Sequence, residues 1–444
     1  MKNKLIIIAV FCLVYNRAAA QQKTVTLTGT LVHFANQVVI DDMSEFQYLD
    51  LPTTERLIAP DEKGNFTLTF NLSAPNYFRL GRNALYLSPG DKLDMVVDYA
   101  NPVVGTFRGT GAEANSYLVN TPFPKGGSFL DAGKYLAQNP KETFDHIIAA
   151  GAIRTKQLDE LRGVSPEFRR LEEARIKADV LNSFNDVEVY AGIKKIKDIE
   201  LYMKSFNNYA DPIKTQYQLN FIDASLMKLV VYRDVAEDFV KNAPASADVS
   251  KIKDWYTASN LVNKMSRESD KVRLAVFNKS IDSIKTPSYN ASLKAYLKGK
   301  QQFGKGDLAV DFTAVDATGK KVSLSSLKGK VIYVDMWATW CGPCLAEMPK
   351  LEEIKASYKD NADVVFLSLS IDDDNEREKW KKNMAARKVD GYQWQINRGK
   401  LNAYNVTTIP RTLLIDKNFK MVSLSAPLPS AKDLPAEIDK LLAN

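Results

Sequence analysis

A chain of 444 residues is too long for one ordinary core, so roughly two to four domains are expected. Its apolar share of 45% and charged share of 25% are those of globular proteins, not of disordered or fibrous ones. A formal charge of +7 is a mild surplus on this length and does not argue for a nucleic-acid or membrane-surface partner.

The chain opens with "MKNKLIIIAVFCLVYNRAAAQQ". Lys2 and Lys4 form a positive start, Leu5 to Tyr15 form a short apolar run, and Ala18-Ala19-Ala20 supply small residues. This pattern reads as a secretory signal over residues 1–20, with cleavage before Gln21. Cys12 follows Phe11, not a small residue, so a lipid-anchored cysteine is not expected. Cleavage removes Lys2, Lys4, Arg17 and Cys12, lowering the charge to +4 and leaving Cys341 and Cys344. No other run reaches the roughly 18 apolar residues of a spanning helix.

Residues 21–112 alternate with the period of two that marks strands. "TVTLTGTL" sets Val25, Leu27 and Leu31 on one face, and "FTLTFNL" sets Phe66, Leu68, Phe70 and Leu72 together. "KLDMVVDY" does the same with Leu93, Met95, Val97 and Tyr99. Gly64-Asn65 and Ser88-Pro89-Gly90-Asp91 are turn formers. A β-sandwich-like domain is expected here.

Residues 113–302 read as helical. In "SPEFRRLEEARIKADVL", Ser165 is an N-cap candidate with Pro166 at the first helical position. Phe168, Leu171, Ala174, Ala178 and Leu181 follow at helical spacing. "SADVSKIKDWYTASNLVNKMS" and "NASLKAYLKGK" continue the pattern, with Trp255 and Tyr256 expected in a core. "KGKQQFGKGD", residues 298–307, is the best linker candidate.

Residues 303–444 alternate in type: strand 331–337, helix 342–358, strand 364–371, helix 375–388, strands 411–416 and 419–424, and helix 430–442. This is α/β order. The stretch "VIYVDMWATWCGPCLAEMP" carries both remaining cysteines. Val331 to Trp337 reads as a buried central strand interrupted by Asp335. Cys341 then falls at a helix N-terminus, where unsatisfied N–H groups favour a thiolate. A thiol with a free pKa of about 8.5 can fall to about 7 in such a place. Cys344 lies one turn on. Cys341 is read as the attacking sulfur and Cys344 as the resolving one. With no histidine nearby, Asp335 is the candidate base for Cys344. Two cysteines without nearby histidines make a weak zinc set.

These residues resemble the TlpA/ResA-like thioredoxin-fold thiol-disulfide oxidoreductases. "WCGPC", Asp335 six residues before the first cysteine, Pro349 five after the second and "TTIPRTLLID" all match. The resemblance implies a cis proline at Pro410, after Ile409, facing the cysteines. It implies a substrate surface of Trp340, Gly342, Pro343, Ile409 and Pro410. It also points to Glu347, which matches a glutamate common in this branch. The lysine that accompanies the aspartate in thioredoxin has no evident counterpart in "VVFLSLSIDDD". The activity implied is exchange with protein disulfides in the periplasm. The Cys341–Cys344 pair is then the redox centre, with no added cofactor or metal, and a membrane-embedded thiol reductase supplies the electrons. Gly342 and Pro343 add no charge, which places the couple near thioredoxin at about −270 mV, a reductase. An oxidase or isomerase, or an envelope binding protein with an accessory redox domain, are the alternatives. The upstream region resembles the long extensions of some envelope members.

Overall fold

The computed structural model describes residues 23–34, 38–51, 56–81, 83–98, 101, 104–119, 132–387, 389–404, 406 and 408–443. The signal-like segment at 1–20 lies outside them. The described strands begin with β1 (Lys23–Val32), β2 (Val38–Asp42), β3 (Leu57–Ile58) and β4 (Asn65–Leu72). β5 (Asn76–Leu80), β6 (Asn83–Leu87), β7 (Lys92–Asp98) and β8 (Gly105–Gly109) follow. They form two four-stranded sheets, ordered β4-β1-β7-β8 and β3-β2-β5-β6.

Alternation governs the first sheet. Val25, Leu27, Leu68, Leu93 and Met95 point into a cluster shared with Phe78, Leu80 and Leu85 of the second sheet. On the other face Thr24 donates to Asn71, Thr28 to Asp94 and Thr30 to Asn65, at 3.0–3.1 Å. β1 and β7 run parallel and touch at Gly29, which pairs with Met95. A Cβ built on Gly29 would lie 1.8 Å from the Met95 carbonyl oxygen, so only glycine fits there.

The second sheet is covered on both faces. Tyr77, Ala84 and Tyr86 face away from the first sheet and belong to the core of the helical region. Tyr86 meets Phe168 edge to face at 4.9 Å between centroids. Both faces being dry, β5 and β6 are buried at nearly every position and show no alternation.

Helix Pro166–Ile193 forms as its sequence predicts. Ser165 accepts the Phe168 N–H at 3.1 Å, and Pro166 opens the helix without a missing bond. Phe168, Leu171, Ala178 and Leu181 are buried. The same helix carries a buried charge row. Arg175 lies 3.0 Å from Glu172 and 3.1 Å from Asp179, and Glu172 accepts from Tyr77 of β5 at 2.5 Å. Burial pushes the Asp179 carboxyl up to about 8 against the pull of Arg175. This row ties the sheet to the helices.

The segment read as a linker is not one. Helix Pro287–Gln302 runs through its first half and buries Lys300. The second half is held by its backbone: Lys305 N–H donates to Ser269 O at 2.9 Å, and Gly306 N–H to Met421 O at 2.7 Å. Glycine and polar residues mark a turn here because the chain must bend tightly between two packed bodies.

The remaining strands are β9 (Thr313–Asp316), β10 (Lys321–Ser323), β11 (Val331–Trp337), β12 (Val364–Ser370), β13 (Tyr392–Gln395), β14 (Arg411–Ile415) and β15 (Met421–Ser423). They make one seven-stranded sheet, ordered β10-β9-β13-β12-β11-β14-β15. β11 is central, parallel to β12 and antiparallel to β14. Helices Gly342–Ser357, Arg377–Arg387 and Leu434–Leu442 accompany it. The helices at 375–388 and 430–442 are thus shorter than their sequence pattern, and β9, β10 and β13 are too short to have shown a period.

Breaking the charge row tests its role. Arg175→Met would leave two buried carboxylates without their cation, and removing one partner of a buried pair costs about 3 kcal/mol or more. We expect urea unfolding followed by circular dichroism to show a lower midpoint for this variant. An unchanged midpoint would reject the row as a structural tie.

Candidate active site

All seven residues of β11 are buried, because hydrogen-bonded strands flank it and apolar clusters cover both faces. Its carboxyl end delivers the chain to Ala338–Trp340 and then to helix Gly342–Ser357. Cys341 is the N-cap of that helix, and its Sγ accepts the Cys344 N–H at 3.2 Å. Cys341 and Cys344 form a disulfide. Cys344 is 1% exposed and Cys341 5%, so the first sulfur is the nearer to solvent. Trp340 is 59% exposed, and Gly342 and Pro343 are exposed beside it. When the bond opens, the helix's positive end and the Cys344 N–H favour negative charge on Cys341.

The turn before Cys341 is tied to the next strand. Asp372 follows β12 and is fully buried. Its carboxylate accepts the Thr339 N–H at 3.0 Å, the Thr339 hydroxyl at 2.8 Å and the Ser370 hydroxyl at 2.8 Å. The sequence reading passed over Asp372, because three successive aspartates in a loop carry no signal of which one turns inward.

Asp335 is 2% exposed and stands in register with Ser368 of β12 and Thr412 of β14. Burial pushes its carboxyl up to about 7, Lys355 pulls it down, and Glu347 pushes it further up. As the sequence reading expected, "VVFLSLSIDDD" supplies no lysine; the lysine whose charge acts on this aspartate belongs to the helix. Cys344, Met348, Leu351 and Lys355 share one face at helical spacing, and the first three are buried. The Lys355 ammonium donates to Glu352 at 2.7 Å and to the Asp390 carbonyl at 2.9 Å.

Glu347 is half-buried and accepts two bonds from Ser430, N–H and hydroxyl, both at 2.8 Å. The Ile409–Pro410 peptide bond is cis. Ile409 packs against the cluster that contains both cysteines. Arg411 pairs with Met336, so Pro410 comes level with Trp337 at the end of β11 where the cysteine loop starts. The structure thus gathers Asp335, Trp340, Cys341, Cys344, Glu347 and Ile409–Pro410 at the carboxyl end of the central strand. Among the described residues no group of three or more His, Cys, Asp or Glu could hold a metal ion. The two histidines are elsewhere: His33 faces Asp98 at 3.1 Å, and His146 meets the Tyr135 carbonyl at 3.2 Å. What this arrangement can do is exchange two electrons between a dithiol and a disulfide.

The matching family and the sequence relatives agree. Residues 304–427 match the family described as Redoxin. A thiol-disulfide oxidoreductase ResA of Bacillus cereus is 36% identical over 127 residues, 28% of this chain and 70% of the relative. A thioredoxin-like protein of Bacillus subtilis, YneN, is 30% identical over 151 residues, 33% of this chain and 85% of the relative. The crystal structure of the thioredoxin domain of a thiol-disulfide oxidoreductase from Bacteroides vulgatus is 27% identical, covering 31% of this chain and 97% of that one, with a TM-score of 0.28. With a cysteine pair whose first member caps a helix at the end of a buried strand, the chain belongs to the ResA-like thiol-disulfide oxidoreductases, enzymes with a thioredoxin-like domain, which here is carboxyl-terminal.

Proposed function

We propose that the enzyme works in the periplasm as a reductase of protein disulfides, with Cys341 as nucleophile, Cys344 as resolving thiol and Asp335 as proton acceptor. The observation that carries this is the asymmetry of the pair: Cys341 caps the helix and keeps 5% exposure, and Cys344 lies deeper, 1% exposed, on the face of Met348 and Leu351. In the reduced enzyme the Cys341 thiolate attacks one sulfur of a substrate disulfide. The substrate S–S bond breaks, its second sulfur leaves as a thiolate and takes a proton, and a mixed disulfide forms. Cys344 gives its proton to Asp335 and attacks Cys341. The substrate sulfur that was bound to Cys341 leaves as a thiolate and is protonated, and the enzyme keeps the Cys341–Cys344 bond. The substrate thus gains two electrons and two protons, one proton by way of Asp335 and one from solvent. A membrane-embedded thiol reductase then restores the dithiol, so no further cofactor or metal is called for. Trp340, Gly342, Pro343 and Ile409–Pro410 border the sulfur and form the surface on which the substrate chain rests. Glu347, held by Ser430, adds a negative charge that favours the protonated form of Asp335. Export through the segment at 1–20 puts this chemistry outside the cytoplasm, and the two upstream sheets read as a sandwich that travels with it.

Two experiments test the roles. Cys341→Ser should abolish turnover, and Cys344→Ser should accumulate mixed disulfides with envelope proteins. The couple should titrate below about −200 mV. A higher potential would reverse the assigned direction, and recovery of no mixed disulfide would remove protein substrates.

For Asp335 the sign follows from its raised folded-state pKa. The stability it contributes as a neutral acid is fully present below its unfolded value of about 4. That stability is lost as pH rises through about 7. Asp335→Asn should therefore be more stable than the parent at pH 8, on the order of 2–4 kcal/mol by urea unfolding, with little difference near pH 4. The same variant should slow the resolving step by about a hundredfold at pH 7. A gain in stability without slower resolution would leave Asp335 as a structural carboxyl only.

A further inference from the structure

The residue after Pro410 reaches out of its own domain. Arg411 is the first residue of β14, with its backbone paired to Met336 in the central strand. Its side chain is 6% exposed and donates from Nη1 to the carbonyl of Ser266 at 3.3 Å. Ser266 lies in the last turn of helix Ala247–Arg267. Lys300, 5% exposed, donates to the same carbonyl at 3.3 Å. Two cations are thus buried at the negative end of one helix, where carbonyls lack intrahelical partners and positive charge is favoured. Burial and the charge of Arg411 push the Lys300 ammonium down to about 8, while Glu268 opposes them.

Contacts nearby make this helix end a fixed support. The Ser269 hydroxyl accepts the Leu424 N–H at 2.8 Å, just past β15, and the Ser269 carbonyl accepts from Lys305. Lys271 pairs with Asp307. The other half of the helix is tied to the amino-terminal region. Trp255 donates to the Glu45 carbonyl at 2.7 Å, and Lys251 lies 3.1 Å from the Glu45 carboxylate. From Trp255 to Ser266 a helix spans about 16 Å, and it bends little over that length.

We propose that Arg411 is a positioning residue for substrate binding. It holds the Ile409–Pro410 segment against the carboxyl end of helix Ala247–Arg267, so that the upstream region is the backing of the substrate platform. This rests on the reading above that a substrate chain lies along Ile409–Pro410. A protein or peptide disulfide must dock its backbone there before its sulfur meets Cys341. A small disulfide needs only the sulfur. Displacements of about an ångström in a positioning element cost large factors in rate, so the two substrate classes should respond differently.

The test uses the full chain and two probes, a disulfide-bridged peptide and hydroxyethyl disulfide. Arg411→Met keeps the apolar stem and loses the donor. It should raise KM for the peptide by about tenfold, with kcat, the rate on hydroxyethyl disulfide and the reduction potential unchanged. Arg411→Lys should restore most of the loss. Lys300→Met, which leaves β14 untouched, should move peptide KM in the same direction by less, and it decides the matter if Arg411→Met does not fold. Equal losses on both probes, or no change on the peptide, would overturn the positioning role. Failure of the parent enzyme on both probes would instead overturn the reductase reading.

Discussion

Desolvation of one strand organises the catalytic domain. β11 is buried at all seven positions, so its one carboxyl, Asp335, loses water along with the rest. That loss lifts the carboxyl toward neutrality and makes it able to take a proton near pH 7. The same strand fixes where the sulfurs stand. It runs parallel to β12 and antiparallel to β14, and the loop at its end is pinned to β12 through Asp372. The helix that follows can begin only there, and its first positions are Cys341 to Cys344. A carboxyl able to take a proton and the sulfur proposed to attack therefore come from a single strand-to-helix transition. Moving either would require changing the burial of the strand itself.

Much of this was legible in the sequence for definite physical reasons. The apolar run of β11, the single aspartate in it and the cysteine spacing are local signals, and they place the site. β1, β4 and β7 were legible because the far side of their sheet is polar, as the Thr24, Thr28 and Thr30 bonds show. β5 and β6 were not, because helices cover the second face and erase the alternation. Lys355 went unread because the partner was sought on a strand, although its spacing from Cys344, Met348 and Leu351 is regular. Asp372 could not have been picked from Asp373 and Asp374, since only the fold decides which of the three meets Thr339. The glycine-rich segment at 298–307 misled for a related reason: tight turns between packed bodies and loose linkers use the same residues.

The domains inferred from composition are coupled more closely than a linker would allow. The outer face of the second amino-terminal sheet and the helices share one core, in which Tyr77 and Tyr86 sit beside Phe168. Such a sheet, with apolar residues on both faces, has no stable exposed alternative, so residues 23–118 and the helices that cover them stand or fall together. Apolar contact alone leaves the angle of approach loosely defined. The directed bonds from Tyr77 to Glu172 and from Trp255 to Glu45 narrow it.

The same reasoning applies at the other junction, which polar bonds cross. Lys300 and Arg411 are cations with little access to water, and each must recover part of its lost hydration from fixed partners. A helix end supplies such partners only along its axis, within the last turn. The requirement is geometric. The carboxyl end of helix Ala247–Arg267 cannot slide or tilt far without leaving both cations poorly solvated, while Ser269 holds Leu424 just past the adjoining strand. Burying charge is a costly way to join two bodies, but it penalises misplacement more steeply than an apolar face does. The strand fixed in this way is the one that continues directly from Ile409–Pro410. Rigidity is therefore concentrated next to the segment proposed above to carry the substrate chain, where small displacements would matter most.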